Sequence, residues 1–349
     1  MKKAADALFF IHPVCAGASQ TWYLWQTETR IHDFPPPRRA KRSGMEYSMN
    51  GLMATEVVGT FPMSTLVCMV ISGILLVAFP IVIGMYTKAK LEADVRDVAI
   101  GAVAYLLIGL IFVNVLSIAI QMIPGVQEAM KAHDALRIVA EMILNIVPEI
   151  GLLALFLRRR KEEKQNLGCY MEFMIGYTAV ELVMVAATVM MSNAMIAFTY
   201  NGSGIEGVAE MAGISADGDF SYLNDMMAIP GFTYLLSGIE GCLLALVRIG
   251  FVVWMYMINK RGLSNRYYIV MVVMYALVKV PSALNTVGLL PTLAVDPIVA
   301  LICIGCLAYE IVLMRRMIPD EVGPLFKKPE IEFHRKKKAK SQSKDQGFH

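Results

Sequence analysis

The sequence predicts an all-α fold, a polytopic membrane helix bundle with about seven transmembrane helices. Of its 349 residues, 56% are hydrophobic and 17% are charged, and the mean hydropathy is +0.55. Soluble domains carry about 25% charged residues, so this chain has more apolar surface than water tolerates. The apolar residues also lie in long runs that can cross a hydrocarbon core about 30 Å thick. Lys and Arg concentrate in alternate connections between these runs, as in multi-pass membrane proteins.

Residues 1–48 form an N-terminal extension that stands apart from this pattern. The extension has no helical period, and its apolar run from Ala7 to Ile11 is too short for a signal peptide. A translation start at Met45 or Met49 would remove every basic residue before the first span. Two interpretations therefore stay open: a mis-assigned start, or a disordered extension.

Residues 49–315 form one transmembrane helix bundle with no internal repeat of fixed period. No segment outside the apolar runs is large enough to build a soluble core of its own. The predicted spans lie near 62–86, 98–122, 136–157, 168–198, 231–258, 267–290 and 292–314.

The distribution of basic residues predicts the orientation of the bundle. Five Lys and Arg crowd the third connection between Arg158 and Lys164, whereas the fourth, about 199–226, has none. This acidic, glycine-rich connection is either a flexible lid or a plain linker, and the linker is favoured. Positive connections stay inside, so we expect an outer N-terminus and a cytoplasmic C-terminus in a bacterial plasma (cytoplasmic) membrane. The basic tail, 316–349, is then cytoplasmic.

Ionisable residues inside the spans are the strongest functional signal. Each costs about 2.5–3.5 kcal/mol to insert unless it is paired or faces a cavity. At a rise of 1.5 Å per residue, Glu149 and Arg248 lie roughly 14 and 15 Å from the cytoplasmic end of their spans, and Lys279 and Glu181 roughly 18 and 20 Å. We therefore predict two ion pairs, Glu149 with Arg248 and Glu181 with Lys279. The buried charge network comprises Glu141, Glu149, Glu181, Glu240, Arg248 and Lys279.

In this network Glu240 lies deeper toward the outside, at roughly 27 Å, and is expected to be protonated or hydrogen-bonded. The network as a whole has two interpretations. It is either a set of salt bridges that fixes helix packing, or a catalytic or ion-conducting centre. The matching depths of opposite charges favour the first interpretation.

Three short motifs resemble those of the YhfC-type intramembrane proteases, relatives of the CAAX prenyl endopeptidase group. Such proteins carry a Glu-Glu pair followed by Arg, then Phe-x-x-x-His with a Glu four residues on, and later His-x-x-x-Asn or Asp. Here Pro148-Glu149 stands at the first motif, Phe173 to Tyr177 at the second with Glu181 in place, and Tyr275 to Lys279 at the third. The resemblance implies a helical membrane fold with an ancestral site between the third and sixth spans.

The chain keeps the order and spacing of these motifs but few of their reactive residues. In the family the glutamates are thought to activate a water, and the histidines and Asn or Asp to stabilise the oxyanion or hold a metal. Only Glu149 and Glu181 remain as candidate catalytic residues. The other ancestral motif positions are Phe173, Tyr177, Tyr275 and Lys279, with tyrosine at both histidine positions.

Three functions remain open on this sequence. The favoured one is a non-catalytic, pseudoenzyme homologue that binds a membrane-embedded or lipidated peptide in the old substrate groove. The second is an active glutamic-type intramembrane protease that uses Glu149 and Glu181. The third is a small-solute or ion transporter, because buried charges also mark permeation paths.

We expect no cofactor and no metal within the bundle. All five histidines lie outside the spans, and carboxylates alone suit Mg or Ca better than zinc. The chain has no GxxxxGK[ST] and no GxGxxG, so no nucleotide or nucleic-acid partner is expected; the expected partners are the lipid bilayer and a membrane peptide.

Overall fold

The computed structural model describes most of the predicted bundle. The described residues are 59–91, 94–126, 129, 133–160, 166–215, 220–286 and 288–326. Every regular element within them is a helix, which confirms the all-α fold. The N-terminal extension and the end of the basic tail lie outside the described residues, and so do the two expectations about the extension.

The helices follow one another with short connections. Two π-helical segments interrupt them, Tyr105–Phe112 between α2 and α3 and Glu181–Ala187 between α5 and α6. The helices are α1 Met63–Leu91, α2 Val95–Ala104, α3 Val113–Gln121, α4 Asp134–Arg158, α5 Leu167–Val180, α6 Thr188–Ala212, α7 Ser221–Ala228, α8 Gly231–Arg261, α9 Tyr267–Thr286, α10 Thr292–Met317 and α11 Pro319–Phe326.

Six helical stretches in the described part are long and apolar enough to cross a membrane, by length and composition. They match six of the seven predicted spans. The third predicted span is occupied by α4, a helix of 25 residues that is not one of those six. At 1.5 Å per residue it is about 37 Å long, enough to cross the bilayer. The chain is therefore a multi-pass membrane protein.

The fourth connection is not the linker that its composition suggests. Helix α6 continues to Ala212 with one kink, where Gly204 takes φ 65° and ψ −158°. The Asn201 side chain accepts from Phe61 N and donates to Phe61 O, both at 2.8 Å. Buried Val208 and Leu223 complete a small second core here. The prediction was wrong because glycine permits a kink as readily as a loop, and apolar burial then stabilises the helix.

Helix α8 is the centre of the bundle. It packs against α1, α5 and α10, and most of its second half, including Trp254 and Met257, is fully buried. A helix that is apolar on all sides is stable only when other helices surround it or lipid covers it. Arg248, in the buried part of α8, is therefore held inside the protein.

Helices α2 and α5 cross at unusually short range. A Cβ added at Gly101 would lie 1.8 Å from the Phe173 carbonyl oxygen, and one added at Gly176 would lie 1.9 Å from that of Val98. Small residues allow two membrane helices to approach this closely. The crossing fixes α5, which carries Phe173 and Tyr177, against the rest of the bundle.

Candidate functional site

The site is centred on the guanidinium of Arg248, which α8 holds in the middle of the bundle. Arg248 as a whole residue is 6% exposed, and Glu149 on α4 is 9% exposed. Arg248 Nη1 forms an ion pair with Glu181 Oε2, and Arg248 Nη2 lies 3.6 Å from Glu149 Oε1. One arginine therefore faces carboxyl groups from two different parts of the chain.

Tyr275 on α9 links Arg248 to Glu149 through hydrogen bonds. Arg248 Nη2 donates to the Tyr275 hydroxyl, and this hydroxyl donates to Glu149 Oε2 at 3.2 Å. The Arg248 guanidinium also lies 5.0 Å from the Tyr275 ring centroid, in cation–π range. The phenol thus ties the guanidinium to Glu149 and holds both in place.

Glu181 is the first residue of the second π-helical segment, and its side chain points into the site. The Thr188 hydroxyl donates to the Val183 carbonyl at 3.1 Å, five residues back, and so stabilises the wider turn. A π segment turns the residues that follow it relative to a regular α-helix, and such segments are frequent at functional sites. Here the wider turn begins at the residue that contacts Arg248.

The predicted pairing of charges is only half correct. Glu149 faces Arg248 as expected, but Glu181 also pairs with Arg248, and no ion pair joins it to Lys279 among the described residues. Lys279 Nζ instead lies 5.8 Å from the Tyr275 ring centroid. The depth of a residue along its helix fixes only one coordinate, and the direction in which its side chain points decides the partner.

The other two motif residues lie on α5. Tyr177 is fully buried, packs edge-on against Tyr105 with ring centroids 5.1 Å apart, and lies in electrostatic range of Glu149, Glu181 and Arg248. Phe173 stacks on Phe156 at 5.2 Å, and the Arg160 guanidinium lies 5.9 Å from its ring centroid. Tyr177 thus borders the ionic site, whereas Phe173 holds α5 against α4.

A small cavity lies beside the charges. Its volume is about 10 Å³, close to the minimum for one water, and it is lined by Glu149, Arg248 and Tyr275 and by apolar side chains of α4, α5 and α8. Arg248 Nε is buried without a hydrogen-bond partner among the described residues. The site can therefore hold one small polar molecule at most.

The remaining predicted charges lie apart from the group formed by Glu149, Glu181, Arg248 and Tyr275. The Glu240 carboxyl on α8 lies in electrostatic range of that of Asp296 on α10. The side chain of Glu141 lies outside the described residues.

Sequence reasoning missed Asp296 as a site residue. The signal that could have identified it is an Asp inside an apolar span, directly before Pro297. The double role of Arg248 was not predicted either, because only the geometry reveals it.

Buried carboxylates gathered between the helices of a polytopic bundle mark a functional site in a multi-pass membrane protein. The family model for YhfC intramembrane metalloprotease matches residues 74–300, well over half of the chain. The chain belongs to this family, which confirms the family inferred from the sequence. No curated protein and no solved structure matches the chain.

The family name implies a metal ion, and the residues of the site do not fit one. Catalytic zinc takes His, Cys and carboxylate ligands. Here Tyr177 and Tyr275 border the two glutamates, no His or Cys lies beside them among the residues of the site, and both glutamates already face a guanidinium. Among the described residues, no group of three His, Cys, Asp and Glu side chains is arranged to hold a metal. We therefore derive no step through a metal.

Proposed function

We propose that this chain is a non-catalytic member of the YhfC family that binds a transmembrane or lipidated peptide. The observation that carries the proposal is the position of Arg248, whose guanidinium lies between Glu149 and Glu181. In a protease a water and the scissile carbonyl must lie beside a free base. The guanidinium and the Tyr275 phenol occupy that space.

The hydrogen bonds of Glu149 support the same conclusion. One of its oxygens faces Arg248 and the other accepts from Tyr275. A general base needs a lone pair directed at the nucleophilic water. The adjoining cavity, of about 10 Å³, does not admit a peptide segment, so a peptide would bind beside α4 rather than at the glutamates.

The partner follows from the surroundings of α4. Its residues on the far side from the site, such as Ile143 at 54% and Leu155 at 48%, are exposed and apolar. A face of this kind within a bilayer contacts lipid or another apolar helix. A single-span or lipidated peptide fits that environment, whereas a soluble polar peptide does not.

The first experiment is proteolysis by the full chain in liposomes, tested on single-span and prenylated peptides. A protease of known activity on the same peptides verifies the substrates. We expect no cleavage, together with saturable photo-crosslinking of a peptide that unlabelled peptide displaces. Cleavage that is lost in Glu149→Gln would overturn the proposal in favour of the glutamic-type protease, and non-saturable crosslinking would overturn the binding role.

The transport alternative has weaker support. A transporter needs broken helices in two corresponding halves. The sequence has no matching repeat, and the buried charges are the only feature that favours this function. We also propose that the membrane is the bacterial cytoplasmic membrane with the C-terminus inside, which rests on the basic ends of the helices.

A further inference from the structure

Helix α11 lies across the ends of α8 and α1, where both helices finish with basic residues. Near its start, Glu321 accepts from the Tyr256 hydroxyl and pairs with Arg261, both on α8. Near its end, the Leu325 carbonyl accepts from the Tyr86 hydroxyl of α1. Tyr256 and Tyr86 each lie five residues, or about 8 Å, before the last residue of their helix. Because the two contacts are at the same depth, α11 runs across the two helices and not along them.

The position of α11 matches the surface of a bilayer. Helix α1 has 29 residues and is therefore about 43 Å long, more than a hydrocarbon core of about 30 Å requires. Its only charged residues, Lys88 and Lys90, are at this end, so its last turns reach the headgroup region. Val322 of α11 is 1% exposed and packs on the bundle. Helix α11 is thus an interfacial helix with one buried side.

The aromatic side chains at this end face lipid. Tyr86 lies on the same side of α1 as Val82 and Met85, which are 59% and 61% exposed. Phe326 follows Leu325, whose carbonyl accepts from Tyr86, and Phe326 is 44% exposed. Aromatic rings at this depth contact the headgroup region of a bilayer.

Two cations accompany these rings. The Arg315 guanidinium lies 4.4 Å from the Phe326 ring centroid, and Lys90 Nζ lies 6.0 Å from that of Tyr86. A guanidinium that contacts a ring through its face keeps N–H groups at its edge, which can donate to a phosphate. The two residues that follow Phe326 in the sequence are both lysine.

The carboxylates near this surface are already engaged or lie farther away. Asp94 caps α2 and accepts from Arg96 N at 3.0 Å, and Glu321 pairs with Arg261. Asp320 is exposed at the start of α11, about 9 Å along the helix from Phe326. The end of α11 that carries Phe326 therefore has an excess of positive charge.

We propose that Tyr86, Lys90, Arg315 and Phe326 form a lipid-binding surface, which takes the phosphate of an anionic phospholipid. The guanidinium and the ammonium donate to the phosphate oxygens, and the acyl chains lie along the exposed apolar side of α1. A zwitterionic lipid has the same phosphate, but its own cationic group competes with Arg315 and Lys90. This surface is independent of the proposed peptide-binding function.

The test uses Phe326→Trp as a fluorescent reporter in the full chain in liposomes. Quenching by bromine-labelled phosphatidylglycerol is compared with quenching by bromine-labelled phosphatidylcholine, after the signal of the chain without the reporter is subtracted. We expect phosphatidylglycerol to be preferred by about fivefold or more, the factor that one Lys or Arg contributes near an anionic surface. Equal quenching by the two lipids would overturn the proposal.

Inorganic phosphate in the buffer distinguishes a lipid from a free anion. The preference should be unchanged when excess phosphate is added. Loss of the preference would mean that the surface takes a free phosphate and not a lipid headgroup. Neither this comparison nor the first needs a variant of a charged residue, so both stay valid if such a variant fails to fold.

Charge variants in the reporter chain test the surface itself. Lys90→Gln combined with Arg315→Gln should bring the two lipids close to equal quenching. The matched control, Arg266→Gln in the turn before α9, removes an exposed arginine away from this surface and should keep the preference. An equal loss in both variants would mean that only the total charge matters.

Glu321→Ala separates the two explanations by sign. It removes both contacts of α11 with α8 and keeps all four residues of the lipid-binding surface, while the net charge becomes more positive by one. If α11 builds the surface, the preference for phosphatidylglycerol falls. If total charge alone attracts the lipid, the preference rises, and that result would overturn the proposal.

Discussion

Arg248 makes contacts that a lysine at the same position could not make. Its planar guanidinium presents donors in several directions and here serves Glu149, Glu181 and Tyr275 at once. Lys279 is a single point charge, and it approaches an aromatic ring instead. The residue type explains why one cation serves two carboxylates.

We predict that Arg248→Met lowers the free energy of unfolding by about 3–5 kcal/mol, since it leaves two buried carboxylates without a cation. Adding Glu149→Gln and Glu181→Gln to that variant should recover most of the loss, because the uncompensated charges are then removed. Denaturant unfolding in detergent micelles measures both effects.

The control for this series is Arg266→Met, at an exposed arginine in the turn before α9. That change should stay within about 0.5 kcal/mol of the wild type. If the triple variant is no more stable than Arg248→Met alone, the ion-pair assignment is wrong.

At the scale of helices, the closest contact is the crossing of α2 and α5. Gly101→Ala would place a methyl group 1.8 Å from the Phe173 carbonyl oxygen. Backbone atoms cannot move aside cheaply, so we expect the free energy of unfolding to fall by about 1–3 kcal/mol or more. Thermal unfolding monitored by circular dichroism detects the change.

Gly151→Ala on α4 is the matched control, since nothing lies within 4 Å of the added methyl group. It should be neutral or stabilise α4 by up to about 1 kcal/mol, as alanine favours helix. An equal loss in both variants would mean that helix crossing is not the cause.

The helices and the site differ in how far the sequence predicts them. Long apolar runs depend on composition alone, and their positions were predicted for α1, α8, α9 and α10. The contact of Arg248 with Glu181 was not predicted, because it depends on how far each helix is rotated about its own axis. A rise per residue contains no information on that rotation, and the π segment that starts at Glu181 changes it further.

At the scale of the whole molecule, basic residues gather at one end. Lys88 and Lys90 end α1, Lys260 and Arg261 end α8, and Arg315 and Arg316 end α10. Helix α11 brings these ends together, since Tyr86 donates to the Leu325 carbonyl and Arg261 pairs with Glu321. The Lys and Arg residues that predict the topology thus lie together at one end of the folded protein.

We predict that this basic end faces the cytoplasm, because Lys and Arg flanking short loops stay inside. A green fluorescent protein fused after Asn265 should fluoresce, and alkaline phosphatase fused after Leu289 should be active outside the cytoplasmic membrane. The exchanged pair of fusions should be silent. The opposite result would reverse the orientation.

The contacts of α11 also set an order of assembly. The first membrane helix leaves the ribosome early, but Tyr86 near its end meets the backbone of Leu325, 239 positions later in the chain. Until that late segment has been synthesised, the basic end of α1 lacks this hydrogen-bond partner. The basic end of α1 therefore gains this contact only when α11 has formed, whereas the rest of α1 packs against α5 and α8, which are synthesised earlier.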